Sequence, residues 1–276
     1  MEVREQPLGR YPCLVVGGGT PLVVLAGLAP RAGVDPGPMR RGHEASARLW
    51  ARGRQVFYLN RRPGMPRGIT MSDVAAEHAD ALRAGFDGPV DLLGMSTGGS
   101  IAQQLAAEHP DAVRRLVLVS TGCRLGPAAK DVQRRVAARV RASAYGQAVA
   151  LFSADLVPPG PLQLFAAVGG RLLGPRMLPA DGLRDMATMI EAEDEFDLAE
   201  LPAISAQTLL IGGGRDRFYG TELVAETAAL IPDCHVEIHP RAGHVSVLSH
   251  PKALAQTLAF LAAERPSEVA GHHHSR

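Results

Sequence analysis

The chain has 276 residues, of which 46% are hydrophobic and 21% charged, and its formal net charge is +1. That is enough apolar residue for one large α/β core with an insertion, and too much for a disordered chain. Basic and acidic residues are intermixed, which leaves no footprint for nucleic acid or an anionic membrane as a partner.

Met1 to Arg10 carries Glu2, Arg4, Glu5 and Arg10 and lacks the apolar centre of a secretory signal. Pro21 to Ala26 (PLVVLA) reads as a buried strand ended by Gly27, His43 to Arg52 as a helix, and Gln55 to Leu59 (QVFYL) as the next strand. Ser72 is placed to cap a helix from Asp73 to about Ala84, with Val74, His78 and Leu82 on one face. Val90 to Leu93 (VDLL) is a strand that runs into Gly94-Met95-Ser96-Thr97-Gly98, and a helix from Ser100 to Glu108 follows. Strands are expected at Leu116 to Ser120, Thr208 to Ile211 and His235 to His239, and a last helix from near Pro251 to about Glu264.

Between Gly122 and Leu201 the strand signals vanish. Val132, Val136 and Val140 recur every four residues, Met186, Met189 and Ile190 form a second helical face, and Pro158-Pro159-Gly160-Pro161 interrupts the segment. The whole pattern predicts a mostly parallel central sheet flanked by helices, with a helical insertion above the sheet edge where ligands bind. The expected division is a core of residues 1–121 and 202–265, a helical cap of 122–201 and a polar tail of 266–276.

No apolar run reaches the ~18 residues of a membrane span. Cys13, Cys123 and Cys234 are odd in number and far apart. They argue against a disulfide framework or structural zinc and predict a reducing cytoplasm. His272 to His274 lie on the polar tail, where no native metal site is expected.

The chemistry concentrates at Ser96. A nucleophilic serine must project from a tight strand-to-helix turn, and glycine two residues before and after relieves the crowding there. The pentapeptide alone is weak in a chain with 30 glycines; the strand before it and the helix after it give it weight. Strand, G-x-S-x-G turn and helix together resemble the nucleophile elbow of the α/β-hydrolase superfamily, and the resemblance runs from about Leu14 to Ala263.

The resemblance implies an α/β-hydrolase fold and a triad in the order serine, acid, histidine. Asp216 follows the strand Thr208 to Ile211 across Gly212-Gly213-Gly214-Arg215, and His244 follows the last strand in Ala242-Gly243-His244-Val245. Asp194 and Asp197 are rival acids in a run, Glu191 to Glu200, that reads as a solvated face. His235, His239 and His250 read as strand and helix-start residues. By the same resemblance the backbone N–H groups of Thr97 and Leu28 form the oxyanion hole. Two departures stand out: Ala26-Gly27-Leu28 lacks the family's frequent His-Gly, and Asn60-Arg61-Arg62-Pro63-Gly64 lacks its aspartate.

The expected enzyme is a serine hydrolase of a small or medium carboxylic ester with an apolar part, needing no cofactor and no metal. Phe152, Leu164, Phe165, Met186 and Met189 are the expected pocket residues, with Leu162, Leu173 and Met177 also available in the insertion. Thioesterase, lactonase, carbon–carbon bond hydrolase and cofactor-free perhydrolase share the triad. A slow-turnover ligand receptor and a non-catalytic scaffold are the readings from other classes; the scaffold would be expected to have lost a triad residue.

Overall fold

The computed structural model describes residues 1–34, 39–157 and 160–263. Pro158, Pro159 and the tail with His272 to His274 lie outside them. Eight strands form one sheet: β1 (Val3–Glu5), β2 (Cys13–Gly17), β3 (Thr20–Leu25), β4 (Arg54–Leu59), β5 (Val90–Met95), β6 (Val113–Val119), β7 (Gln207–Gly213) and β8 (Cys234–His239). Their order is β1-β2-β4-β3-β5-β6-β7-β8. The pairs β1·β2 and β2·β4 are antiparallel, and every pair from β4 to β8 is parallel.

The parallel strands are apolar on both faces because helices cover both. On β3, Val23 and Leu25 face one side and Leu22 and Val24 the other, as the two-residue period of a strand requires. The first side packs against α2 (Met71–Gly85), α3 (Thr97–Glu108) and α8 (Thr221–Leu230). The second packs against α1 (Arg40–Trp50) and α10 (Pro251–Ala262), with Trp50 1% exposed. A short helix, α9 (His244–Val247), leads into α10.

The cap of α2 differs from the sequence reading. Thr70, not Ser72, closes it: Asp73 N–H donates to Thr70 Oγ1 at 3.1 Å, and Thr70 N–H donates to Asp73 Oδ2 at 2.9 Å. Each residue satisfies the other's free donor, which a single capping serine cannot do. The Ser72 hydroxyl donates instead to Glu108.

Between β6 and β7 lie α4 (Pro127–Arg141), α5 (Tyr145–Asp155), α6 (Pro161–Met177) and α7 (Ala180–Asp194). Val136, Val140, Val149, Leu183, Met186 and Ile190 form a small apolar cluster among α4, α5 and α7. The long helix α6 packs on α5. A Cβ on Gly174 would sit 2.6 Å from Val149 Cγ1, so the two helices touch through a position without a side chain.

That packing overturns most of the expected pocket. Leu164 and Phe165 are 67% and 73% exposed on the outer side of α6. Small residues make the inward contact and leave the large ones in solvent. Met186 and Met189, on α7, are buried in the cap cluster and the main core respectively, and neither borders the cavity at Ser96. Among the described residues no helix is long and apolar enough to cross a membrane.

Candidate active site

Ser96 follows β5 and caps the start of α3 with φ +51° and ψ −124°, a conformation that costs a non-glycine residue energy. The turn is kept by close packing of the elbow on the end of β3. A Cβ on Gly98 would lie 2.3 Å from the Leu25 carbonyl oxygen and 2.5 Å from that of Ala26. Gly98→Ala is therefore expected to lower stability by ~1–3 kcal/mol, the usual cost of overpacking, read as a lower urea midpoint. An unchanged midpoint would show that the elbow tolerates a side chain there.

The loops after β7 and β8 bring two more groups to this turn. His244 Nδ1–H donates to Asp216 Oδ2 at 2.9 Å, and the Ser96 hydroxyl donates to His244 Nε2 at 3.0 Å. Asp216 is itself fixed, because its Oδ1 accepts the N–H groups of Phe218 at 2.9 Å and Tyr219 at 3.1 Å. The Phe218 and Tyr219 rings lie against the imidazole, with centroids 4.6 and 5.9 Å from it. The rival acids are elsewhere: Asp194 pairs with Arg134, and Asp197 accepts the Ala199 N–H. His235 is exposed beside Glu237, and the His239 and His250 rings lie against each other.

Thr97 is the first residue of α3, so its N–H has no acceptor one turn back within the helix. Gly27 lies against the serine, since a Cβ there would be 3.2 Å from Ser96 Cβ, and Leu28 borders the same cavity as Ser96. Asn60 holds this loop. Its Nδ2 donates to the Arg31 and Gly33 carbonyls at 2.8 and 2.9 Å, and its Oδ1 accepts the Arg61 N–H. An amide can donate and accept at once. An aspartate at this position would meet two carbonyls without a proton to give.

The sequence reading missed Glu193. It was expected within a solvated acidic run, yet it is fully buried at the end of α7. Ser100 Oγ donates to Glu193 Oε1 at 2.7 Å, Thr97 Oγ1 donates to its Oε2 at 2.8 Å, and the Tyr219 hydroxyl lies 3.5 Å from Oε1. Burial pushes its carboxyl above the ordinary value, while the three hydroxyls pull the other way. The signal in the sequence was positional: in the helical stretch of this run, Glu193 lies three residues after Ile190 and four after Met189, on the apolar face. Arg61, also buried, donates to the Gly182 carbonyl, and burial lowers its guanidinium to about 10.

A cavity of about 150 Å³ opens above Ser96 and His244. The insertion supplies Val132 and Val136 from α4, Phe152 from α5 and Ile190 from α7, and the core supplies Leu28 and Leu248. Of the expected pocket residues only Phe152 is in this wall. Gln133 and Asp155 are its polar side chains outside the serine, Tyr219 and histidine.

An eight-stranded, mostly parallel sheet, a strained serine at a strand-to-helix turn and a histidine between serine and aspartate define an α/β hydrolase. The family model described as the alpha/beta hydrolase family matches residues 22–257, and the chain belongs to that family. It is an enzyme of the carboxylic ester hydrolase kind. The pimeloyl-[acyl-carrier protein] methyl ester esterase of Neisseria meningitidis serogroup C is 32% identical over 188 residues, 64% of this chain and 71% of that protein. The polyketide synthase ThaQ of Burkholderia thailandensis is 30% identical over 273 residues, which are 94% of this chain and 13% of that much longer protein. A crystal structure of a hydrolase from Pseudomonas aeruginosa shares the fold, with a TM-score of 0.69 at 22% identity, over 95% of this chain and 98% of that one.

Proposed function

We propose that Ser96, His244 and Asp216 hydrolyse a small or medium carboxylic ester in two acyl-transfer steps. The observation that carries this is the unbroken line from Asp216 Oδ2 through His244 to Ser96 Oγ, at 2.9 and 3.0 Å, at the floor of an apolar cavity. His244 Nε2 takes the Ser96 proton as Oγ attacks the carbonyl carbon, and Asp216 stabilises the imidazolium. The N–H groups of Thr97 and Leu28 hold the oxyanion, each worth ~3 kcal/mol. His244 then protonates the leaving alcohol. Water, activated by His244, attacks the acyl-enzyme and releases the carboxylic acid with Ser96 restored. None of these steps calls for a cofactor.

Residues 122–201 act as a cap that selects the acyl part by apolar contact, over a core of 1–121 and 202–265. The partner is a small molecule with an apolar portion, and the kinship with a methyl ester esterase supports a simple ester as the scissile bond. Three cysteines without a disulfide suit a reducing cytoplasm.

The test is a series of 4-nitrophenyl esters of rising acyl length, on the wild type and on Phe152→Ala. Wild-type turnover is expected, and the substitution should move the preferred length upward, with discrimination changing by ~1–3 kcal/mol per methylene. A stoichiometric burst without turnover would favour the receptor reading. An unchanged length profile in Phe152→Ala would remove the cap from specificity.

A further inference from the structure

A second cavity, of about 400 Å³, adjoins the one above Ser96. Asp155, Leu156, Phe218, His244 and Val245 border both. Its outer wall carries Arg215, Arg217 and Arg241. These arginines sit on the same two loops that deliver the triad: Arg215 and Arg217 flank Asp216, and Arg241 is three residues before His244. The loops are tied together, since Arg215 N–H donates to the Ala242 carbonyl and Gly214 N–H to that of His239, both at 2.9 Å. The arginine stems therefore start from backbone as well placed as the triad's own.

Exposed arginines elsewhere are mixed: Arg83 pairs with Asp111, Arg124 with Glu226 and Arg134 with Asp194, whereas Arg41, Arg52 and Arg139 have no carboxylate partner among the described residues. Among the described residues, none of Arg215, Arg217 and Arg241 makes a side-chain hydrogen bond or an ion pair. The one acidic residue on this wall is Asp155. Burial raises its carboxyl, and the charges of Arg217 and His244 oppose that, so Arg217 is the arginine that Asp155 partly offsets. Three arginines outnumber the two nearby carboxylates, Asp155 and the buried Asp216, and leave the cavity positive. Its apolar walls, Leu156, Val157, Phe218 and Val245, focus the field.

The proton path says which part of a substrate enters here. His244 Nε2 must hand its proton to the leaving atom, so that atom departs on the His244 side. The group attached to it runs past the imidazole, where the arginine-lined cavity begins.

We propose that this cavity binds an anionic group, a carboxylate or a phosphate, carried on the leaving-group side, so that the preferred substrate is an apolar acyl ester of an anionic alcohol. The inference rests on the acyl-transfer reading above. The bond from Ser96 Oγ to the acyl carbon forms as the acyl carbon–oxygen bond breaks. The alcohol leaves with the proton from His244 and with its anion unchanged.

The experiment compares 4-nitrophenyl hexanoate with the same ester bearing a carboxylate or, in a second arm, a phosphonate at ring position 3. Because the three phenols differ as leaving groups, each charged-to-neutral ratio of kcat/KM is compared between wild type and an Arg215→Gln, Arg241→Gln double variant. Wild type is expected to favour at least one charged ester, by ~10-fold or more at low ionic strength. The gain should lie in KM and shrink as salt shortens the Debye length from ~30 Å at 0.01 M to ~3 Å at 1 M. The double variant should lose that preference, and the arm that gains more tells carboxylate from phosphate. Equal ratios in wild type and variant for both arms, or ratios indifferent to salt, overturn the proposal. Calorimetric binding of 5-hydroxy-2-nitrobenzoate, the carboxylate arm's product, against 4-nitrophenol reads the cavity without turnover. If no ester is hydrolysed but the carboxylated phenol binds more tightly to wild type than to the variant, the acyl-transfer reading fails and the anion site stands. Equal affinities sink the site.

Discussion

Ser96→Ala is expected to reduce steady-state ester turnover by as much as ~10⁶-fold, because nucleophile and base act as one unit. The remaining rate belongs to binding and to the oxyanion donors. The fold should not notice the change. The Ser96 hydroxyl makes its side-chain hydrogen bond to His244, and the backbone bonds that hold the elbow, such as Ser96 N–H to the Val119 carbonyl at 3.1 Å, involve no side chain. The measurement pairs kcat with a thermal unfolding curve and with labelling by a fluorophosphonate, which should vanish. A folded Ser96→Ala enzyme turning over esters at near wild-type rate would end the proposed mechanism.

Asp216→Asn is expected to cost ~10⁴-fold in kcat with little loss of stability. The reason is specific to this loop. Asp216 Oδ1 already accepts two backbone N–H groups, from Phe218 and Tyr219. An asparagine keeps its carbonyl oxygen facing those donors, and its NH₂ must then point at His244 Nδ1. The imidazole is forced to accept there and to carry its proton on Nε2, where it can no longer take the proton of Ser96. Removing the carboxylate's charge also strands the imidazolium. The check is kcat at neutral pH alongside a urea titration. Activity within tenfold of wild type, at wild-type stability, would assign the acid role to a different carboxylate.

The parallel strands were legible because burial on both sheet faces shows as short apolar runs, and α1, α2, α3 and α10 by their helical patterns, while α8 (Thr221–Leu230) was not read as a helix. Short β1 and β2 were not separated as strands. Val3–Glu5 is three residues of mixed polarity at the sheet edge, and Cys13–Gly17 pairs antiparallel with a strand some forty positions away in the chain. The G-x-S-x-G turn and the two loops after later strands were legible because the turn itself demands glycine and the fold orders the rest. The cavity wall was not. Apolar content shows that a helix has a buried face, but not which of its apolar residues lie on it. In α6 the glycines make the close approach, so Leu164 and Phe165 were left outside. Glu193 escaped for the converse reason. A lone acid inside an acidic run looks solvated, until the hydroxyls of Thr97 and Ser100 show what it is for.

That carboxylate also decides how freely nature, or an engineer, could exchange the upper half of this enzyme. Glu193 sits on α7 yet holds the hydroxyls of Thr97 and Ser100 on α3, while Asp185 of the same helix accepts the N–H groups of Gly64 and Met65 at 2.9 and 3.0 Å. α7 is thus bonded to the hydrolytic half as well as to the insertion, where Arg134 pairs with Asp194 and Arg141 with Glu191. A chimera spliced just before β7 would import a foreign final helix and leave two buried hydroxyls beside the nucleophile without their acceptor. The seam that spares them lies between α6 and α7, at Leu178 and Pro179, and an incoming α4 to α6 must then supply a face that fits Leu183, Met186 and Ile190 and cations for Asp194 and Glu191.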